Sequence, residues 1–67
     1  MQMIPVSSSN LAAVGYEDGN LYITFHRSGT YMYTGVPRSV YNELMNAPSH
    51  GKYFHQFIKN VYPYTKL

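Results

Sequence analysis

The chain has 67 residues, with no Cys, no Trp, five Lys and Arg against three Asp and Glu, and eight Tyr. A chain of this length makes one small domain that buries only about 60% of the surface its unfolded form exposes, which excludes a second core and a multi-part catalytic apparatus. Its charged share of 12% is roughly half the usual one, yet 45% of the residues are apolar, the balance of a globular domain rather than a disordered tail.

The lack of Cys removes disulfides, thiolate zinc sites and Cys nucleophiles together, so stability must come from packing. The segment Met1-Gln2-Met3-Ile4-Pro5-Val6 carries neither a charged leader nor an apolar run of membrane length, and the expectation is a cytoplasmic protein with no membrane partner. A net charge of +2 is too small to argue nucleic-acid binding by itself.

In chain order, residues 1–9 read as a flexible N-terminal segment ending in Ser7-Ser8-Ser9, and residues 10–67 as a single domain. Turn signals at Asp18-Gly19 and Arg27-Ser28-Gly29 divide an apolar region into three predicted strands, residues 11–16, 20–26 and 30–34. The middle strand alternates Leu21, Ile23 and Phe25 with Tyr22, Thr24 and His26, the period of a half-buried strand. A two-residue Ser28-Gly29 loop would need positive φ at Ser28, whereas a three-residue Arg27-Ser28-Gly29 loop leaves only the glycine left-handed. The longer loop pairs His26 with Thr30, Phe25 with Tyr31 and Ile23 with Tyr33, and sets both tyrosines on the apolar face. The shorter one would turn them outward with Tyr22.

After Gly35 the period becomes helical. Val40, Tyr41, Leu44 and Met45 define one predicted helix, with Pro37 in its first turn and its end at Ala47 before Pro48. A second is predicted from Ser49 as N-cap to about Val61, with Tyr53, Phe54, Phe57, Ile58 and Val61 on one arc and Lys52, His55, Gln56, Lys59 and Asn60 on the other. The Tyr62-Pro63-Tyr64 segment is expected to pack back on the domain. The fold class is α+β, a three-stranded antiparallel β-meander followed by two α-helices packed on one face of the sheet.

Chemistry-bearing groups are sparse. Glu17 and Asp18 share a turn, Glu43 stands apart, and no Ser sits in a nucleophile elbow with a His and Asp to activate it. His50 and His55 miss the i, i+4 spacing of a helical metal pair. The chain is therefore expected to be no enzyme, with no cofactor and no metal.

Two constellations remain. At Ser49, His50, Gly51 and Lys52 a helix starts with a hydroxyl cap and a Lys where an acid is usual, a candidate anion-binding helix N-terminus. Equally, Gly51 can serve only to bring the helix start close to the sheet. Beyond Glu43 there is no acid, while Lys52, Lys59, Lys66, His50 and His55 follow. A basic helix face near exposed tyrosines is the footprint of a modest nucleic-acid binder, with Lys52, Lys59, Arg27 and Arg38 on phosphates and Tyr22, Tyr31 or Tyr33 stacking on bases. Solvated faces with a few Lys are also commonplace, and most of the eight tyrosines must fill a core this small. Tyr41 and Tyr53 are expected to be structural and Tyr22 the one most exposed.

Ser8-Ser9 leading into Val14-Gly15-Tyr16, Leu21-x-Ile23-x-Phe25-x-x-x-Gly29, Tyr31-Met32-Tyr33 and Val36-Pro37 make an ordered series. It continues through Ala47-x-Ser49-x-Gly51-Lys52-Tyr53-Phe54, Ile58 and Tyr62-Pro63-Tyr64. In this series the chain resembles the KTSC domain, a module found at the C-terminus of some bacterial lysyl-tRNA synthetases and as small standalone proteins of bacteria and phages. The resemblance implies an RNA-binding module, with Lys52 and Lys59 at positions commonly basic in the family. His55 stands where a small polar residue is usual, and the tail after Tyr64 is less basic than in relatives. The leading expectation is thus weak binding of RNA or another nucleic acid; the alternative is a protein-interaction module or homodimer with a Tyr-rich interface.

Overall fold

Short apolar alternations punctuated by glycine turns build the sheet. The computed structural model describes residues 1–67 and contains β1 (Ile4–Pro5), β2 (Leu11–Glu17), β3 (Asn20–Phe25), β4 (Gly29–Tyr33), α1 (Arg38–Asn46), α2 (His50–Tyr53), a π-helical turn (Phe54–Ile58) and β5 (Tyr64–Lys66). The strands form one antiparallel sheet in the order β1-β2-β3-β4-β5.

The meander has five strands, not the three expected. Ile4 pairs with Val14 and Pro5 with Ala13 at one edge, and Tyr64 pairs with Tyr33 and Lys66 with Tyr31 at the other. Neither edge strand is visible in the sequence: β1 has two residues, one of them Pro, and β5 has three residues directly after Pro63. Strands this short carry no measurable periodicity.

Asp18 and Gly19 take φ of 53° and 78°, the pair of positive values that a two-residue type I′ turn requires. At the next turn Gly29 is left-handed, with φ of 88°, but it pairs with Phe25, and Ile23 pairs with Tyr31 and Leu21 with Tyr33. The loop is therefore His26-Arg27-Ser28, and the expected register is wrong by two residues. A two-residue shift preserves the face, so Tyr31 and Tyr33 do lie on the side of Leu21, Ile23 and Phe25.

The helical segment covers that same side. Leu11, Val14, Leu21, Ile23 and Tyr33 of the sheet are buried with Leu44, Phe54 and Ile58 from above and Val36 from the connection. Each fully buried aliphatic among them contributes about 1.5–3 kcal/mol. No helix is long and apolar enough to cross a membrane.

Pro37 is the N-cap of α1 rather than a first-turn residue, and Ala47 closes the helix before Pro48 as expected. The second helix departs further. Lys59 N–H donates to the Phe54 carbonyl at 2.8 Å, which inserts a π turn, and Asn60 then adopts φ of 65°. The helix ends at Ile58 instead of Val61. Of the expected apolar arc only Phe54 and Ile58 are buried, while Phe57 and Val61 are 47% and 59% exposed. The widened turn adds a residue per revolution, so positions beyond it leave the face that an unbroken α-helix would give them.

On the sheet's other face, the N-terminal residues approach Gly15. A Cβ there would lie 2.7 Å from the Met3 Sδ and 3.1 Å from the Gln2 carbonyl oxygen, closer than side-chain carbon tolerates. Tyr22, paired with Gly15 and Met32, lies half-buried beside this contact rather than standing free.

Candidate nucleic-acid interface

The π turn and β5 converge over the exposed end of β3 and β4 and enclose a cleft of about 310 Å³. Its walls are aromatic: Phe25, Tyr31, Tyr33, Phe54 and Tyr64. Phe25 meets Tyr31 edge-on with ring centres 5.5 Å apart, and Tyr64 leans on Tyr31 and Tyr33 at 5.6 and 5.7 Å. The polar lining is Ser28, His55, Lys59 and Asn60. Lys66 extends its ammonium to 5.8 Å from the centre of the Tyr31 ring. No Asp or Glu lines the cleft.

Of the residues singled out from sequence, Tyr31, Tyr33 and Lys59 meet here. Tyr33 is 5% exposed, with its ring held edge-on by Phe54 at 5.7 Å; it is a core residue that shows the cleft little more than an edge. Burial, with Tyr31 and Tyr64 beside it, pushes its hydroxyl pKa up to about 12. Arg27 lines an adjoining groove of about 220 Å³ with Asn10 and His26, and that groove shares Phe25 and Ser28 with the cleft.

The other candidates lie elsewhere. Arg38 sits 4.9 Å from the centre of the Tyr16 ring, which itself stacks on Tyr41 at 5.2 Å. Tyr16, Leu21, Tyr33 and Tyr64 form one row across the sheet, so two strand spacings, about 10 Å, separate Arg38's partner from Tyr33 on the cleft wall, and three, about 14 Å, from Tyr64. Lys52 lines a different groove with Tyr53 and Phe57, because the π turn breaks the helical face on which it was expected to join His55 and Lys59. Tyr22 is on the opposite face of the sheet.

The start of α2 is engaged in capping. Ser49 Oγ accepts from Lys52 N–H at 3.2 Å, and His50 Nδ1 donates to the Leu44 carbonyl at 2.8 Å, closing the last turn of α1. Gly51 lies near Ser8 and Asn10, at distances where a Cβ would make ordinary contact. Tyr53 donates to Glu43 at 2.9 Å, and its pKa rises to about 12 through desolvation and then through that hydrogen bond and carboxylate charge.

Sequence reasoning missed Phe25, Ser28, Phe54, His55, Asn60 and Tyr64 as cleft residues, and Lys66 beside them. One signal was available: Asn60 followed by Pro63 fits a helix stop with a left-handed residue just past the end.

A five-stranded antiparallel sheet with its helices on one face and an aromatic cleft at the sheet's end defines a small α+β domain. The chain belongs to the KTSC domain family, whose model matches residues 7–62. It is similar to the crystal structure of a KTSC domain protein from Yersinia pestis, with a TM-score of 0.96 and 40% identity, covering 98% of this chain and 96% of that one. It is also 39% identical over 67 residues, 97% of its length, to a lysine–tRNA ligase of Nostoc sp.. With a lysine–tRNA ligase of Trichormus variabilis it shares 47% identity over 47 residues, 70% of its length. The matched regions amount to 12% and 8% of those ligases.

Proposed function

We propose that this chain is a noncatalytic module that binds single-stranded RNA weakly through the aromatic cleft and the cations around it. The observation that carries the reading is the coincidence of Lys59, Lys66 and the nearby Arg27 with the rings of Tyr31 and Tyr64 at a cleft lined by no Asp or Glu. Cations hold phosphates and aromatic faces hold unpaired bases without demanding a sequence. Further support comes from the lysine–tRNA ligases that carry a similar segment, enzymes whose name joins them to an RNA.

Affinity is modest. Three cations on single-stranded phosphates give a logarithmic salt slope of about 2, and all five Lys and Arg together no more than about 3.5. Anisotropy of a labelled single-stranded RNA, titrated at several salt concentrations, tests this. Binding that weakens with that slope supports the reading, and absence of binding at low salt removes it.

A protein-interaction reading has its own observation, the exposed Phe57 with its ring 4.7 Å from that of Tyr53, and the exposed Val61. Sedimentation equilibrium at high micromolar concentration decides the homodimer version: self-association abolished by Phe57→Ser favours it, and a monomer rejects it.

A further inference from the structure

We infer that the cleft is a pocket for a single unpaired nucleotide, whose base enters among Tyr31, Tyr64 and Phe25 while its neighbouring phosphates pass from Lys59 toward Arg27. This rests on the RNA-binding reading and narrows it from a charged surface to one defined pocket.

Size comes first. About 310 Å³ lies at the lower end of small-molecule pockets. It admits one base with part of its sugar and excludes a duplex, whose bases are stacked and paired. The lining comes second. A planar aromatic ligand needs apolar faces and a few placed hydrogen-bonding groups, and here rings supply the faces while Ser28, His55 and Asn60 offer hydroxyl, imidazole and amide at the rim. None of those three side chains has a hydrogen-bond partner within the protein.

Charge comes third. Lys59 lies on the cleft wall and Lys66 beside Tyr31, while Arg27 lies in the groove that continues from the cleft across Phe25 and Ser28. A nucleotide chain passing from the cleft wall in that direction goes from Lys59 to Arg27. The three acidic side chains lie outside the cleft: Glu17 is 3.9 Å from the N-terminal ammonium, Glu43 accepts from Tyr53, and Asp18 stands in the β2–β3 turn.

The pocket also has a yielding wall. Tyr64 is 61% exposed and belongs to a three-residue edge strand held only by β4, so its ring can adjust to an incoming base without disturbing the core.

The test is an amide NMR titration of the full chain with a single-stranded ribotetranucleotide and with inorganic polyphosphate. The inference expects the tetranucleotide to shift Ser28, Tyr31, His55, Asn60 and Tyr64 while leaving Tyr22, Arg38 and Lys52 in place. Tyr64→Leu and, separately, Lys59→Ala should weaken that binding at least about fivefold, the lower end of what one stacked base contributes. The second variant lies on the surface and keeps the test valid if the first perturbs β5. A deoxyribose tetramer of the same sequence identifies DNA as a source, and a response at the cleft to either supports the pocket. Polyphosphate producing the same shifts would overturn it, since the cleft would then hold charge and no base. RNA binding with shifts confined to residues outside the cleft would overturn the pocket and leave the RNA reading standing; no binding by any oligonucleotide removes both.

Discussion

Lys66 and Tyr31 are direct cross-strand partners on β5 and β4, and the ammonium of one lies 5.8 Å from the ring centre of the other. An exposed pair of this kind is worth about 0.5–1 kcal/mol, small for the fold but enough to fix a cation at the mouth of the cleft. Lys66→Gln should leave the denaturation midpoint almost unchanged and lower the salt slope of RNA binding by about 0.7. Anisotropy at several salt concentrations checks it, and an unchanged slope would place Lys66 outside the interface.

Two glycines should respond oppositely to a methyl group. At Gly15 an added Cβ collides with the backbone of Gln2 as well as with Met3, so Gly15→Ala should cost about 1–3 kcal/mol, as overpacking does. Gly51 lies within a helix with room around it, and Gly51→Ala should be neutral or stabilising by up to about 1 kcal/mol. Urea denaturation of the two variants makes the comparison; equal effects would contradict the packing described.

His50 acts as a structural cap. Its ring N–H satisfies the Leu44 carbonyl at the end of α1, and His50→Ala should destabilise the fold by about 1 kcal/mol while RNA affinity, measured where the variant is fully folded, stays as it was. A loss of affinity there would restore the helix start as a ligand site.

Alkaline pH should loosen the domain. Tyr33 and Tyr53 ionise in the folded chain near 12, against 10.0 for an ordinary tyrosine. Between those values the unfolded chain releases protons that the folded chain retains, so the stability these groups contribute is whole below pH 10 and lost as pH rises toward about 12. Denaturation midpoints measured across that window should fall for the wild type and fall less for Tyr33→Phe with Tyr53→Phe. Parallel declines would show that other groups control the alkaline limit.

How far the sequence reached is clear from particular elements. Leu21, Ile23 and Phe25 alternate, Asp18-Gly19 can only be a tight turn, and Pro48 stops a helix, because each is a local steric or periodic constraint. The face of Tyr31 and Tyr33 followed from parity even though the register was displaced by two. β1 and β5 escaped because two or three residues bear no period and owe their conformation to the strand beside them. The π turn escaped because no residue from Lys52 to Tyr62 disfavours a regular α-helix strongly enough to forecast one. The cleft depends on both omissions: without β5 there is no Tyr64 or Lys66 beside Tyr31, and without the π turn Lys52 and Lys59 remain on one face.

In the proposed interface the cations that matter are those at the cleft. Lys59→Gln with Lys66→Gln and Lys52→Gln with Arg38→Gln each remove two positive charges and so have the same effect on net charge. Anisotropy of a labelled single-stranded RNA at low salt, run side by side on the two double variants, should show the cleft pair losing at least about fivefold more affinity than the distant pair, given a pocket in which charge and stacking act together. Equal losses from the two pairs would mean that RNA reads only the overall charge of the domain, and the cleft would have no part in it.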